Sequence, residues 1–287
     1  MTTTSNIEFN RQRANDRAIG QWLLLCAGMV LAMIVIGGIT RLTESGLSIV
    51  DWRPVTGFLP PLTEAAWNRV FELYRTSPQY LEINAGMTLA EFRTIFWWEY
   101  IHRAWGRLIG LVFFLPFVWF LIRGRVRKSL VPRLIGLFLL GGAQGVLGWY
   151  MVRSGLVDVP EVSQYRLAAH LSLAFLIYAA LVWTGLSLFF PDPATIADRL
   201  GAQVRRLALF ALVLIAVTIL SGAFVAGTDA GLIFNSFPLM DGAVLPPGYF
   251  DHAAAPFEDH GTIQFHHRML ALVSLAAVAA LWWRSRW

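Results

Sequence analysis

Six stretches of the chain stay apolar long enough to cross a membrane as helices, which takes about 20 residues. They are 19–40, 95–122, 134–151, 167–190, 207–227 and 263–283. The polar residues between them are unevenly shared. Arg11, Arg13 and Arg17 precede the first span, and Arg123, Arg125, Arg127, Lys128 and Arg133 join the second to the third. Arg199, Arg205 and Arg206 precede the fifth, and Arg284 and Arg286 follow the sixth. By the positive-inside rule these four places are cytoplasmic, so the N-terminus is inside and the connections after spans one, three and five are outside. The first outer connection, 41–94, is long and punctuated by Pro54, Pro60, Pro61 and Pro78. Within it Thr63 opens a short amphipathic helix reaching Tyr74, of a kind that can lie on a membrane surface. The predicted fold is an all-α integral membrane protein with six transmembrane helices.

Composition supports this reading and narrows the chemistry. Only 14% of the 287 residues are charged, against about 25% in a soluble domain. The net charge of +5 does not point to nucleic acid, because the arginines flank apolar spans and topology explains them. A single cysteine, Cys26, lies inside the first span. An intrachain disulfide, a CxxC site and a cysteine-ligated iron–sulfur cluster are therefore excluded. The polar segment 1–18, with Glu8 and Asp16, has neither the apolar core of a signal peptide nor the acid-poor pattern of a transit peptide.

An internal repeat organises the rest. The first span leaves through Thr43-Glu44-Ser45-Gly46-Leu47 and the fifth through Thr228-Asp229-Ala230-Gly231-Leu232. Each following connection reaches a proline pair, Pro60-Pro61 and Pro246-Pro247, and each next span opens with His-Arg, His102-Arg103 and His267-Arg268. The chain thus reads as four-helix-bundle units in tandem: a cytoplasmic segment 1–18, a first half 19–190, a cytoplasmic linker 191–204 and a second half 205–287. The second half holds two spans where the first holds four. The symmetry leads us to expect an eight-helix protein of which the last two helices are missing here.

His102, His170 and His267 each stand a few residues inside the outer end of a span. Three imidazoles at one depth suggest ligands for a shared kind of cofactor. Zinc asks for about four converging N, S or O ligands, and none of these helices carries a second histidine four residues on. Haem iron asks for two axial ligands from facing helices in an apolar box, and one histidine from span two with one from span four would suffice. Gly136, Gly141, Gly142, Gly145 and Gly148 on span three would let helices pack closely around it. Arg103, Arg107, Arg166 and Arg268 lie near the same level, placed for haem propionates. The other reading of a lone intramembrane histidine is a helix-to-helix hydrogen bond. His252 and His260 fall in an outer loop, and His266 points about 100° away from His267. Trp97, Trp98 and Trp105 read as interface-belt aromatics.

Glu99 stands three residues before His102, on the same helix face. Gln264 holds that place before His267, so the halves share the histidine but not the acid. A desolvated carboxyl one turn from a ligand could shuttle protons or polarise water. The competing reading is an ion pair with Arg103.

At these residues the chain resembles the haem A synthases, of the bacterial and mitochondrial type without a cysteine pair in the first outer loop. The matching runs are TRLTESGLS (40–48), EYIHRAWGR (99–107), QGVLGWYMVRSGL (144–156), VSQYRLAAHL (162–171) and AGTDAGLIFNSFPLM (226–240). The resemblance implies eight helices in two halves, each holding a haem between paired histidines. It implies oxidation of the C8 methyl of haem O to a formyl group, giving haem A for cytochrome oxidase. Two hydroxylations with loss of water would produce the aldehyde. His102 and His170 would ligate the reacting haem, with Glu99 functional beside it, and His267 would ligate a haem b that transfers electrons. A haem O synthase, oxidase assembly factors, a homo-oligomeric partner and a bacterial inner-membrane location are the associations it suggests. The alternative is a non-enzymatic membrane haem b carrier or haem-handling protein.

Overall fold

The computed structural model describes residues 3–51, 57–156, 162–191, 199–251 and 253–286. Pro54, His252 and residues 192–198 of the expected linker lie outside them. Nine α-helices are found among the described residues: α1 (Thr3–Leu42), α2 (Glu64–Arg75), α3 (Pro78–Glu82), α4 (Leu89–Ile122), α5 (Val131–Gly155), α6 (Gln164–Phe189), α7 (Arg199–Gly227), α8 (Ala255–Glu258) and α9 (His260–Arg284). Six of them, α1, α4, α5, α6, α7 and α9, are long and apolar enough to cross a membrane. The protein is an all-α integral membrane protein, as expected.

Helix ends differ from the hydropathy boundaries because caps and polar turns extend helices beyond their apolar part. The helix of α1 begins at Thr3, so most of the polar segment 1–18 continues the first span. Likewise α7 begins at Arg199, inside the expected linker. Thr63 caps α2 as expected, accepting from the Ala66 amide at 3.2 Å. A capping box of Thr88 and Glu91 starts α4, satisfying two of its orphan donors reciprocally.

The chain divides into two units, one of Met1–Val162 with Leu173–Pro191, the other of Ser163–Ser172 with Asp192–Trp287. In the first unit, α1, α4, α5 and the C-terminal part of α6 share an apolar core that includes Leu23, Cys26, Phe117, Leu134 and Leu181. Pro116 lies inside α4 and cannot donate to the carbonyl four residues back, that of Val112. The Trp22 indole donates to that oxygen at 2.8 Å. At the basic end of α1, Arg127 pairs with Asp16 at 3.2 Å. Above the core, α2 packs on the start of α4 through Trp67, Tyr74, Phe92 and Phe96.

Close helix approach occurs at Gly20 and Gly185, where a Cβ on Gly20 would come within 3.2 Å of the Gly185 carbonyl oxygen. On α5, a Cβ on Gly136, Gly141, Gly142 or Gly145 would meet no described protein atom within 4 Å. Small residues permit close packing where a helix faces them, and among the described residues none comes that close along this stretch of α5. In the second unit, α7 pairs with α9, helped by a Thr218–Ser274 hydroxyl contact of 2.8 Å. Ala168, Ala223, Phe224, Ala230 and Ile263 form its core.

Candidate functional site: a repeated loop clasp beside a histidine

Both repeats end their first helix in the same way. Thr43 bonds the Ile39 carbonyl through its amide (2.9 Å) and hydroxyl (2.8 Å), and Thr228 bonds Phe224 likewise (3.0 and 2.8 Å). The next residue turns left-handed, Glu44 at φ 52° and Asp229 at φ 54°. A 3-10 turn follows, Ser45–Leu47 in one and Ala230–Leu232 in the other. The turn reverses the chain, so the extended segment after it runs back past the opening turns of α4 or α9.

There a side chain from the helix clasps it. Glu99 Oε2 accepts from the Ile49 amide at 2.6 Å and the Ser48 hydroxyl at 2.7 Å. Glu99 Oε1 accepts from Arg103 Nη2 at 2.5 Å, and the same nitrogen donates to the Ile49 carbonyl at 2.9 Å. In the second unit, the Phe234 amide donates to Gln264 Oε1 at 3.1 Å, and Arg268 Nη2 donates to the Phe234 carbonyl at 2.5 Å. The two clasps differ where acid and amide must differ. Gln264 Nε2 donates to the carbonyls of Gly231 (2.9 Å) and Phe234 (3.0 Å), which a carboxylate cannot do. Arg268, having no acid to meet, sends Nη1 to the Ser236 carbonyl at 2.7 Å. Glu99 is 2% exposed, and a buried charge at this depth is tolerable only when paired and hydrogen-bonded. The ion pair with Arg103 is therefore present, and the carboxylate is tied to the loop as well.

The histidines sit one turn further in, on the same helices. His102 packs against Gly37 of α1, where a Cβ would stand 3.2 Å from its Nε2. His267 packs against Gly222 of α7, where a Cβ would stand 3.0 Å from its Cε1. Only a residue without a side chain leaves room for the ring. His267 Nδ1 is buried and makes no hydrogen bond of normal geometry, with the Thr218 backbone as its polar neighbour. An imidazole that turns one ring nitrogen to a backbone group leaves the other for a metal, so His267 fits a haem ligand. Among the described residues no group of three or more His, Cys, Asp and Glu could hold a metal ion, so a zinc site built from protein ligands alone has no donor set there.

His170 is half-buried on the part of α6 that groups with the second unit, and Arg166 is half-buried one turn before it. Arg107 lies over the Phe58 ring at 5.3 Å. His260 is the first residue of α9, and His266 Nε2 meets the Tyr249 hydroxyl at 2.8 Å. Trp105 is more than a belt residue, since its indole donates to the Met29 carbonyl of α1 at 2.9 Å. Reasoning from sequence missed Ser48, Gly37 and Gly222. The repeat pointed at their loops and helices but not at which atoms would touch.

Against the Glu99 clasp, beneath α2, lies a cavity of about 420 Å³. Ser48, Ile49, Tyr100, Arg103 and Arg107 line its inner side, and Ala66, Arg69 and Val70 of α2 line the other.

Two tandem helix–turn–clasp units, each setting a histidine against a glycine of the neighbouring helix, define the site of this membrane protein. The family model COX15-CtaA, described as cytochrome oxidase assembly protein, matches residues 20–287. The chain is 55% identical over 278 residues to a heme A synthase of Parvibaculum lavamentivorans, covering 95% of this chain and 79% of that relative. It is 52% identical over 278 residues to one of Rhodospirillum centenum, with 96% and 74% covered. A heme A synthase of Paramagnetospirillum magneticum is 49% identical over 291 residues, with 100% and 82% covered. No solved structure matches the chain. The chain belongs to the COX15-CtaA family of haem A synthases.

Proposed function

We propose that this protein converts haem O to haem A by oxidising the C8 methyl group to a formyl group. In balance, the methyl and one water give the aldehyde with four protons and four electrons, which pass to an acceptor. His102 and His170 are the axial ligands we assign to the substrate haem, and His267 is one ligand of a haem b. That haem b, when bound, supplies one-electron transfer. Arg103, Arg107, Arg166 and Arg268 offer guanidinium groups for propionates, with Arg103 and Arg268 also holding their loops. Glu99 is the group that moves protons from the reacting carbon's oxygen. The N-terminus and the basic connections face the cytoplasm of a bacterial inner membrane, and the histidines lie towards the outer side.

The observation that carries this reading is the difference between the two clasps. Their folds coincide atom for atom at the loop amide and carbonyl, so the clasp itself needs no acid: Gln264 serves. A buried carboxylate that costs desolvation where an amide would hold the loop is evidence for chemistry at Glu99. The test is expression in cells that make haem O, followed by extraction and mass analysis of the haems. Haem A or its hydroxymethyl precursor is expected. Haem b alone, with haem O unconverted, would overturn the reading in favour of a carrier.

A further inference from the structure

We infer that Ser48 is a positioning residue for this reaction, fixing the Glu99 carboxylate through its hydroxyl; this rests on the acid–base role proposed for Glu99. Ser48 closes the 3-10 turn, its amide donating to the Ser45 carbonyl at 3.2 Å. Its side chain is 2% exposed. One alternative acceptor, the Ile95 carbonyl, lies at 3.4 Å, while Glu99 Oε2 lies at 2.7 Å, so the hydroxyl proton belongs to the carboxylate. With the Ile49 amide on the same oxygen and Arg103 on the other, the carboxylate is held at three points from two elements. Torsion about its terminal bond, which is broad and soft for a free glutamate, is thereby removed.

The second unit shows what the loop needs without an acid to orient. At the place of Ser48 stands Ile233, 49% exposed and without a hydroxyl, and the Phe234–Gln264 clasp forms all the same. The hydroxyl therefore accompanies the carboxylate and is not required by the turn. Ser48 also lines the cavity of about 420 Å³ beneath α2, together with Arg103 and Arg107. Ile49 and Arg103, the other two partners of the acid, line the same cavity. Misplacement of a reacting group by about 1 Å can cost roughly a hundredfold in rate, so orientation by one hydrogen bond is a worthwhile device.

The experiment uses the full chain in membranes of cells that make haem O. Ser48→Ala is expected to lower haem A output about tenfold or more and to raise the ratio of hydroxylated precursor to haem A, while the bound-haem spectrum stays unchanged. Ser48→Thr, which keeps the hydroxyl, is expected to restore the ratio. Glu99→Gln with Ser48→Ala is expected to be no worse than Glu99→Gln alone, because a residue acting through another adds nothing once that other is gone. Should Ser48→Ala fail to accumulate, Ser48→Cys keeps the volume with a weak donor, and an unchanged ratio there overturns the inference. Normal output from Ser48→Ala with a blocked Glu99→Gln sinks the role of Ser48 and leaves that of Glu99. Normal output from Glu99→Gln sinks the proposed acid itself.

Discussion

Replacing Glu99 by glutamine copies into the first unit what Gln264 already does in the second. The new amide oxygen can keep the Ile49 amide, as Gln264 Oε1 keeps that of Phe234 at 3.1 Å. The new amide nitrogen can turn to the Gly46 carbonyl, as Gln264 Nε2 turns to Gly231 at 2.9 Å. What is lost is the charge-assisted bond to Arg103, of a kind worth about 1.5–3 kcal/mol. Arg103 keeps the Ile49 carbonyl at 2.9 Å and opens on the cavity beneath α2, so it is not stranded as a buried charge. We therefore expect a stability loss of about 1–2 kcal/mol, below the 3–5 kcal/mol typical of breaking a buried pair by deleting one partner. Glu99→Ala should reach that larger loss, since it strands the Ile49 amide and leaves a void as well. Chemistry should behave differently, because losing a general acid–base typically costs about 10²–10⁴-fold. The paired measurements are thermal melting of the detergent-solubilised protein and mass analysis of extracted haems. Glutamine should melt near the wild type and make no haem A, whereas alanine should lose both. Equal melting losses for the two variants, or haem A from the glutamine variant, would refute the reasoning.

Other outcomes follow from single contacts. Gly37→Ala places a Cβ 3.2 Å from His102 Nε2, and Gly222→Ala places one 3.0 Å from His267 Cε1. Each is expected to displace its ring and remove the haem absorbance of one half only, read in reduced-minus-oxidised spectra; loss of both haems in either variant would contradict the separate glycine shelves. Trp22→Phe removes the donor to the Val112 carbonyl and should cost about 1 kcal/mol. Adding Pro116→Ala restores an in-helix amide donor for that oxygen and should recover most of the loss in thermal melting, which an unrelated packing defect at position 22 would not allow.

Much of this architecture was legible because it is set locally. A span declares itself by about 20 apolar residues, whatever it packs against. The start of α2 followed from Thr63 for the same reason, since an N-cap needs only the amides just after it. The repeat was legible because two copies of one turn must place the same residue types at the same steps: a threonine, an acid able to turn left-handed, and Gly-Leu. Even the contrast of Glu99 with Gln264 was visible, as was the i+4 spacing that permits the Arg103 pair.

Only the tertiary structure decided what those groups touch. Ser48 and Ile49 lie some fifty positions before Glu99, and nothing in local spacing says that a chain reversal brings them onto its oxygens. Trp22 and Val112 meet for the same kind of reason, across two helices. The close approach at Gly20 and Gly185 was likewise not legible, because a small residue permits close packing without saying which neighbour arrives. Membrane span, repeat and the identity of the candidate ligands are properties of short windows of sequence. The clasp that turns Glu99 from a charge in a helix into an oriented carboxylate is a property of chain reversal, and folding alone supplies it.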